Sequence, residues 1–380
     1  MKKLFTLGIV GLLVFEAVNV YFIMPMPGSQ RMRSIDLAYA VYRWRWAARA
    51  VFGALALAGA PAAWRSPGWR RWLVPASAAV LAVVAYAVNF RMQADHMFLQ
   101  PHALVMAPPA KNTVARDRLV VGIEINGDAR AYPLQFIGYH HQVRDSVGGR
   151  PVLVSYCTVC RTGRVFSPEV DGRVETFRLV GMDHYNAMFE DQATGSWWRQ
   201  ANGEAITGSR KGQSLPELES LQVTLEQWLA LHPASLVMQG DSAFASEYAK
   251  DYAYERGTSR KELTGTDTSS WGDKSWVVGV TVHQVSKAYD WNLLKRLRVI
   301  NDAVGDTPIV IALARDSASF FAFVRPADTV VFELRGDSLV ADTATYGLSG
   351  KGPTGTLAPV KASQEYWHSW RTFQPTTTRY

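Results

Sequence analysis

Cysteine is nearly missing from this sequence: 380 residues contain two, Cys157 and Cys160, and both stand in the stretch VSYCTVCRTG. A chain of this length folds without a disulfide framework, and so few cysteines exclude one. C-type haem attachment is excluded as well, because Arg161 and not histidine follows the second cysteine. Also lacking are a Gly-rich phosphate-cradling loop, the strand–helix crossover pattern of a nucleotide-binding parallel sheet, and a Ser-His-Asp set within any recognisable local motif. Acidic residues are scarce at one end only. Residues 1–116 hold 13 Lys and Arg against Glu16, Asp36 and Asp95, which leaves 27 basic against 30 acidic residues for 117–380. The net charge of +7 therefore belongs to the amino-terminal part, and the remainder has no basic stripe for nucleic acid.

The apolar residues of that basic part come in long runs. Residues 4–24 and 72–90 are each long enough to span a bilayer, 50–64 is shorter, and Arg and Trp punctuate the gaps in RWRWAAR and RSPGWRRW as interfacial anchors do. Residues 1–95 are thus expected to form a segment of two to three transmembrane helices, followed by a juxtamembrane linker over 96–117. A cleaved signal peptide accounts for the first run but not for the third. The Lys2-Lys3 start reads as an inward-retained terminus, which with three spans puts the folded part on the periplasmic side of the inner membrane; because this also exports Arg31, Arg33, Arg43, Arg45 and Arg49, the opposite topology counts about equally well.

Beyond residue 117 the sequence resembles itself. Residues 120–166 align without a gap on 277–323, with 10 identities in 47 that include Gly122/Gly279, Tyr132/Tyr289, Asp145/Asp302 and Pro151/Pro308. Each stretch ends in an aromatic helical turn, WLALHP (228–233) and WRTFQP (370–375). The expectation is a strand-dominated α+β fold: two tandem copies of one module, 118–233 and 275–375, packed as a pseudo-twofold pair and joined by a polar linker over 234–274. Alternating strands, the Asp171-Gly172 hairpin pair and the Thr224–Gln227 capping box supply the local signals.

The two copies differ where chemistry is possible. Cys157 aligns with Ala314 and Cys160 with Ser317, while His140, His141 and His184 align with Leu297, Arg298 and Leu339. The second copy keeps turns and core but none of these five donors, as expected if the donors act and the rest is scaffold; drift, with a disulfide or surface histidines simply lost from one copy, is the alternative. A Cys-x-x-Cys turn between strands points both sulfurs at one ion, and two thiolates with one or two imidazoles suit copper or zinc. The metal ligands expected are Cys157, Cys160 and His140, with His184 or His141 as the fourth; one Cys-x-x-Cys is half a zinc signature. Thiol–disulfide exchange by the same pair is the alternative, although such pairs usually open a helix and RTGRVF reads as turn and strand. An interaction scaffold with incidental cysteines is the third reading, and a four-residue disulfide would add little stability. Trp197 and Trp198 are expected to put one ring in the core and one at the surface, and His283 and His368 read as ordinary.

The run AYPL through VSYCTVCRTGRVF, then DHYNAMFEDQATGSWWRQANGEAITG, TLEQWLALHP and the YWHSWRTFQP tail, resembles the bacterial and archaeal family called domain of unknown function 3179. That family's Tyr-Cys-Pro-Leu-Cys-Gly-Thr motif is matched at Tyr156, Cys157, Cys160 and Thr162, and departed from at Thr158, Val159 and Arg161. Its His-Glu pair is matched by His140, with His141 in place of the acid. The resemblance implies export or membrane anchoring, and it implies no reaction.

Overall fold

A run of about twenty apolar residues satisfies its backbone hydrogen bonds internally as a helix about 30 Å long, the thickness of a bilayer core. The computed structural model describes residues 1–342 and 344–380. Its contacts fall into two units, one of residues 1–99, 176–199 and 204–213, the other of 100–175, 200–203 and 214–380. The first unit contains helices α1 (Lys2–Tyr21), α2 (Ile35–Arg43), α3 (Arg45–Trp64), α4 (Leu73–Tyr86, continued by a π turn over Ala87–Arg91) and α5 (Ala94–Met97). Among the described residues three helical stretches, Lys2–Tyr21, Arg45–Trp64 and Gly68–Arg91, are long and apolar enough to cross a membrane. Glu16, the one charge within the first run, is buried against Arg49 of α3, with Nε–Oε1 at 2.7 Å and Nη2–Oε2 at 2.9 Å. Asn89 completes the group, accepting from Arg49 at 2.7 Å and donating to Glu16 at 3.0 Å. An ionised carboxylate persists in apolar surroundings only with such partners.

The same unit holds an antiparallel sheet of Phe177–Asp183, Asn186–Asp191 and Trp197–Arg199. Trp197 and Trp198 are both buried, contrary to the one-in, one-out expectation. Trp197 meets Tyr39 and Tyr42 of α2 at ring distances of 5.1 and 5.2 Å, and Trp198 meets Phe177 at 5.9 Å, so both faces of this strand are covered. Each indole N–H is satisfied by a carboxylate, Glu190 at 3.0 Å and Asp191 at 2.8 Å.

The second unit is strand-rich with a few short helices, so that the chain as a whole is α+β behind an α-helical amino-terminal segment. Strands Leu119–Ile125 and Asp128–Pro133 lead into α6 (Leu134–His140), and Gln142–Val147, Arg150–Cys157 and Thr162–Phe166 follow as an antiparallel meander. Strand Leu221–Thr224 and α7 (Leu225–Leu231) then return to the first pair, with Thr224 accepting from the Gln227 N–H at 3.3 Å as the helix cap. Further along, Trp276–Val282 and Val285–Asp290 lead into α8 (Trp291–Leu297), followed by Val299–Val304, Thr307–Leu313 and Phe320–Val324; Ala362–Tyr366 and α9 (Trp367–Phe373) close the series. Local chemistry recurs with the elements. Tyr132 donates to Asp145 at 2.6 Å and Tyr289 to Asp302 at 2.7 Å. The Trp228 ring lies on Gly122 and the Trp370 ring on Gly279, so close that a Cβ at either glycine would run into the indole. One core cluster includes Val121, Val154 and Trp228 together with Val310, Phe321 and Phe323. At Asp171-Gly172 both φ values are positive, 51° and 73°, as a type I′ turn requires.

Candidate thiol site

Strand Arg150–Cys157 hydrogen-bonds to Thr162–Phe166, with Cys157 opposite Thr162 as the last pair. The four residues between them make a tight turn that holds Cys160, and both cysteines are buried and not disulfide-bonded. Arg161 closes the turn at φ 58°, a left-handed conformation that costs a non-glycine residue about 1–2 kcal/mol. Its side chain opposes that cost. The guanidinium donates to Gln364 Oε1 at 3.0 Å, to the Tyr254 carbonyl at 3.0 Å and to the Glu255 carbonyl at 3.2 Å, and it lies 3.6 Å from the Trp276 ring centre. A fully buried cation is tolerated when carbonyl oxygens and an aromatic face replace its water.

The backbone of the turn is held from three directions. The Thr158 carbonyl accepts from Tyr254 Oη at 3.0 Å, the Val159 carbonyl from His368 Nε2 at 3.0 Å, and the Cys160 carbonyl from the Tyr366 N–H at 3.0 Å. Burial lowers the His368 pKa, so at neutral pH the ring is uncharged with its Nε2 proton on that carbonyl. Two positions beyond Thr162, Arg164 pairs with Glu365 and approaches Glu217 at 3.4 Å. Burial works against this guanidinium, but Glu365, Glu217 and Cys160 offset it and hold the group firmly protonated.

His140 and His141 end α6 beside the cysteine strand, where the His141 carbonyl accepts from the Tyr156 N–H at 2.9 Å. Each ring has a partner: His140 Nε2 lies 2.8 Å from Tyr248 Oη, and His141 Nδ1 lies 3.0 Å from the Tyr139 carbonyl. Burial pushes the His141 pKa down to about 4. His184 belongs to the first unit, in the turn between Phe177–Asp183 and Asn186–Asp191. Its Nδ1 meets Asp183 Oδ1 at 2.6 Å, and Asp183 Oδ2 meets Arg199 at 2.7 Å. Burial alone would raise the Asp183 carboxyl, but His184 and Arg199 outweigh it and hold it low. Among the described residues no group of three His, Cys, Asp or Glu side chains is arranged to hold a metal ion.

Residues that sequence reasoning passed over surround the turn. His368, read as ordinary, caps the Val159 carbonyl, and Gln364 and Tyr366 of strand Ala362–Tyr366 and Trp276 of strand Trp276–Val282 join it there. Tyr254 bonds the Thr158 carbonyl of the turn, and Tyr248 bonds His140. The one visible signal was the density of aromatic and hydrogen-bonding residues in QEYWHSW, far from the cysteines in sequence.

No curated protein and no solved structure shows a significant match to the chain. Residues 100–377 match the family described as Protein of unknown function (DUF3179), and this chain belongs to that family.

Proposed function

We propose that this protein is a membrane-anchored, extracytoplasmic binder of a soft metal ion, copper(I) ahead of zinc, held by the thiolates of Cys157 and Cys160. The observation that carries the reading is the turn whose three consecutive carbonyls each accept from a different residue, Tyr254, His368 and Tyr366. Such a frame fixes both cysteine Cα positions before any ligand arrives, and preorganisation of this kind favours metal capture. The donor set fits copper(I) better than zinc. Two thiolates suffice for a soft monovalent ion, whereas zinc asks for four ligands, and His141 meets the cysteine strand through its backbone carbonyl. Copper(I) with two thiolates has a net charge of −1, which the Arg161 guanidinium, held by amide and carbonyl oxygens, complements. Burial of both sulfurs favours a small ion over exchange with another protein's dithiol, which needs an accessible sulfur.

The site belongs to one of two copies of a single module, arranged about a pseudo-twofold axis. Reciprocal contacts support this: the residue before α9, Tyr366, donates its N–H to the Cys160 carbonyl of the first hairpin loop, and the residue before α7, Thr224, donates its N–H to Ser319 Oγ of the second at 2.9 Å. Self-complementary contacts of this form are what a twofold interface produces. The second copy lacks the donors and serves as the support of the first.

Elemental analysis of the full chain purified in detergent tests the metal reading. About one copper per chain is expected, absent from the Cys157→Ser/Cys160→Ser variant. A metal-free wild type with a titratable disulfide of moderate potential would overturn it in favour of exchange chemistry. Alkaline phosphatase fused to the carboxy terminus is expected to be active, since that enzyme needs an oxidising compartment.

A further inference from the structure

Five cations meet at one end of the helices of the first unit. α1 and α3 run antiparallel in close contact: a Cβ at Gly59 of α3 would run into the Phe5 backbone and the Met1 carbonyl, so Lys2 and Lys3 lie beside the end of α3, where Arg65 follows. Arg70 and Arg71 come next, in a 3₁₀ turn over Gly68–Trp72 that leads into α4. Gly68 has φ 64°, the left-handed conformation that lets the chain reverse between the two helices. All five side chains are exposed, and none has a hydrogen bond or ion pair among the described residues. No acid is at hand, since residues 1–15 and 37–94 contain neither Asp nor Glu. At the opposite end of α3 the arginines are engaged, Arg49 by Glu16 and Arg45 by the Tyr42 carbonyl at 2.7 Å.

Three tryptophans accompany the free cations. Trp64, Trp69 and Trp72 are 48%, 70% and 59% exposed, and Trp64 meets Trp72 edge to face at 6.0 Å. Residues three apart eclipse in a 3₁₀ turn, so Trp69 and Trp72 share one face and Arg70 and Arg71 take the others. Indole rings prefer the headgroup layer, which accepts both the apolar ring and the N–H. The twenty residues of α3 match the thickness of a bilayer core, which puts Trp64 and the turn after it at that depth. Cations gathered without an acid repel one another, and an anion among them relieves the repulsion. At headgroup depth the anion to hand is lipid phosphate. A zwitterionic lipid brings its own ammonium towards the arginines, whereas an anionic lipid brings none. We propose that the start of α1 and the α3–α4 turn bind the headgroup of an anionic phospholipid of the phosphatidylglycerol kind, with its phosphate on Arg70 and Arg71. The planar guanidinium fork matches phosphate oxygens, and Arg65, Lys2 and Lys3 add charge around them. The assignment rests on the membrane anchoring proposed above and is independent of the metal.

Full-length protein in detergent, titrated separately with phosphatidylglycerol and phosphatidylcholine of the same short acyl length and read by native mass spectrometry, tests it. Phosphatidylglycerol is expected to bind about tenfold more tightly, with the preference shrinking as ammonium acetate is raised. Arg70→Gln/Arg71→Gln is expected to erase the preference with helical circular dichroism intact, because both side chains are exposed and unpaired. Arg31→Gln/Arg33→Gln removes the same charge from exposed positions outside the turn and is expected to keep it. Equal binding of the two lipids, a preference unchanged in the Arg70/Arg71 variant, or one lost equally in the Arg31/Arg33 variant would overturn the proposal. Recovery of the chain in the soluble fraction without detergent would overturn the anchoring as well.

Discussion

His141 shows how much a single buried side chain depends on its environment. Its ring is shut away from water and its pKa drops to about 4, against 6.5 for an exposed imidazole. Between those values the unfolded chain binds a proton that the folded chain does not, so stability is complete above about pH 6.5 and falls as the pH drops toward 4. The group contributes on the order of 3 kcal/mol across this window, and burial of His368 and His232 acts in the same direction. The thermal midpoint of the full chain in detergent, followed by tryptophan fluorescence, is expected to decline from pH 7 to pH 5, with a shallower decline in His141→Asn. Neither the burial of His141 nor the half-burial of His368 is legible from the sequence. A histidine's solvent exposure is settled by what packs over it, and for His368 that is a carbonyl 209 positions away.

Elements obey more local rules, and here sequence reading did better. The Thr224 cap, the paired left-handed residues at Asp171-Gly172 and the turn that separates the two cysteines depend on neighbours within a few positions, and all three are present, although the Thr224 N–H bonds Ser319 Oγ and so leaves the capping box half made. The Trp228–Gly122 contact and its counterpart Trp370–Gly279 are also element-scale devices, each seating a helix on its sheet. Gly122→Ala and Gly279→Ala are each expected to cost about 1–3 kcal/mol, because a methyl group must displace an indole from a packed core. Denaturant unfolding monitored at the tryptophans measures the cost. A midpoint unchanged by either substitution would contradict the packing described.

At the scale of the whole second unit, the cysteine turn is held by residues from elsewhere in the chain. Arg164 and Glu365 form a buried pair that links the strand after the turn to the strand before α9. Glu365→Gln leaves a buried guanidinium short of a counter-charge and is expected to cost about 3–5 kcal/mol, whereas Arg164→Met/Glu365→Leu together recover most of that. Thermal midpoints of the three proteins separate a broken pair from lost packing. On the copper reading, His368→Ala frees the Val159 carbonyl, and a roughly tenfold weaker copper affinity is expected from competition with a copper(I) chelator.

The sequence by itself determined the features that depend on neighbouring residues. Apolar runs of bilayer length became helices, period-two alternation became strands, a Cys-x-x-Cys at a strand end became a tight turn, and a strand–strand–helix–strand series appeared twice. Only the tertiary structure decided that His184 is grouped with the helical segment while His140 and His141 end the helix beside the cysteine strand, and that His368, Tyr366 and Tyr254 frame the turn. The physical reason is range. Torsional preference and side-chain periodicity act over a few residues, whereas the partner of a buried carbonyl or guanidinium is chosen by which distant strands share a core.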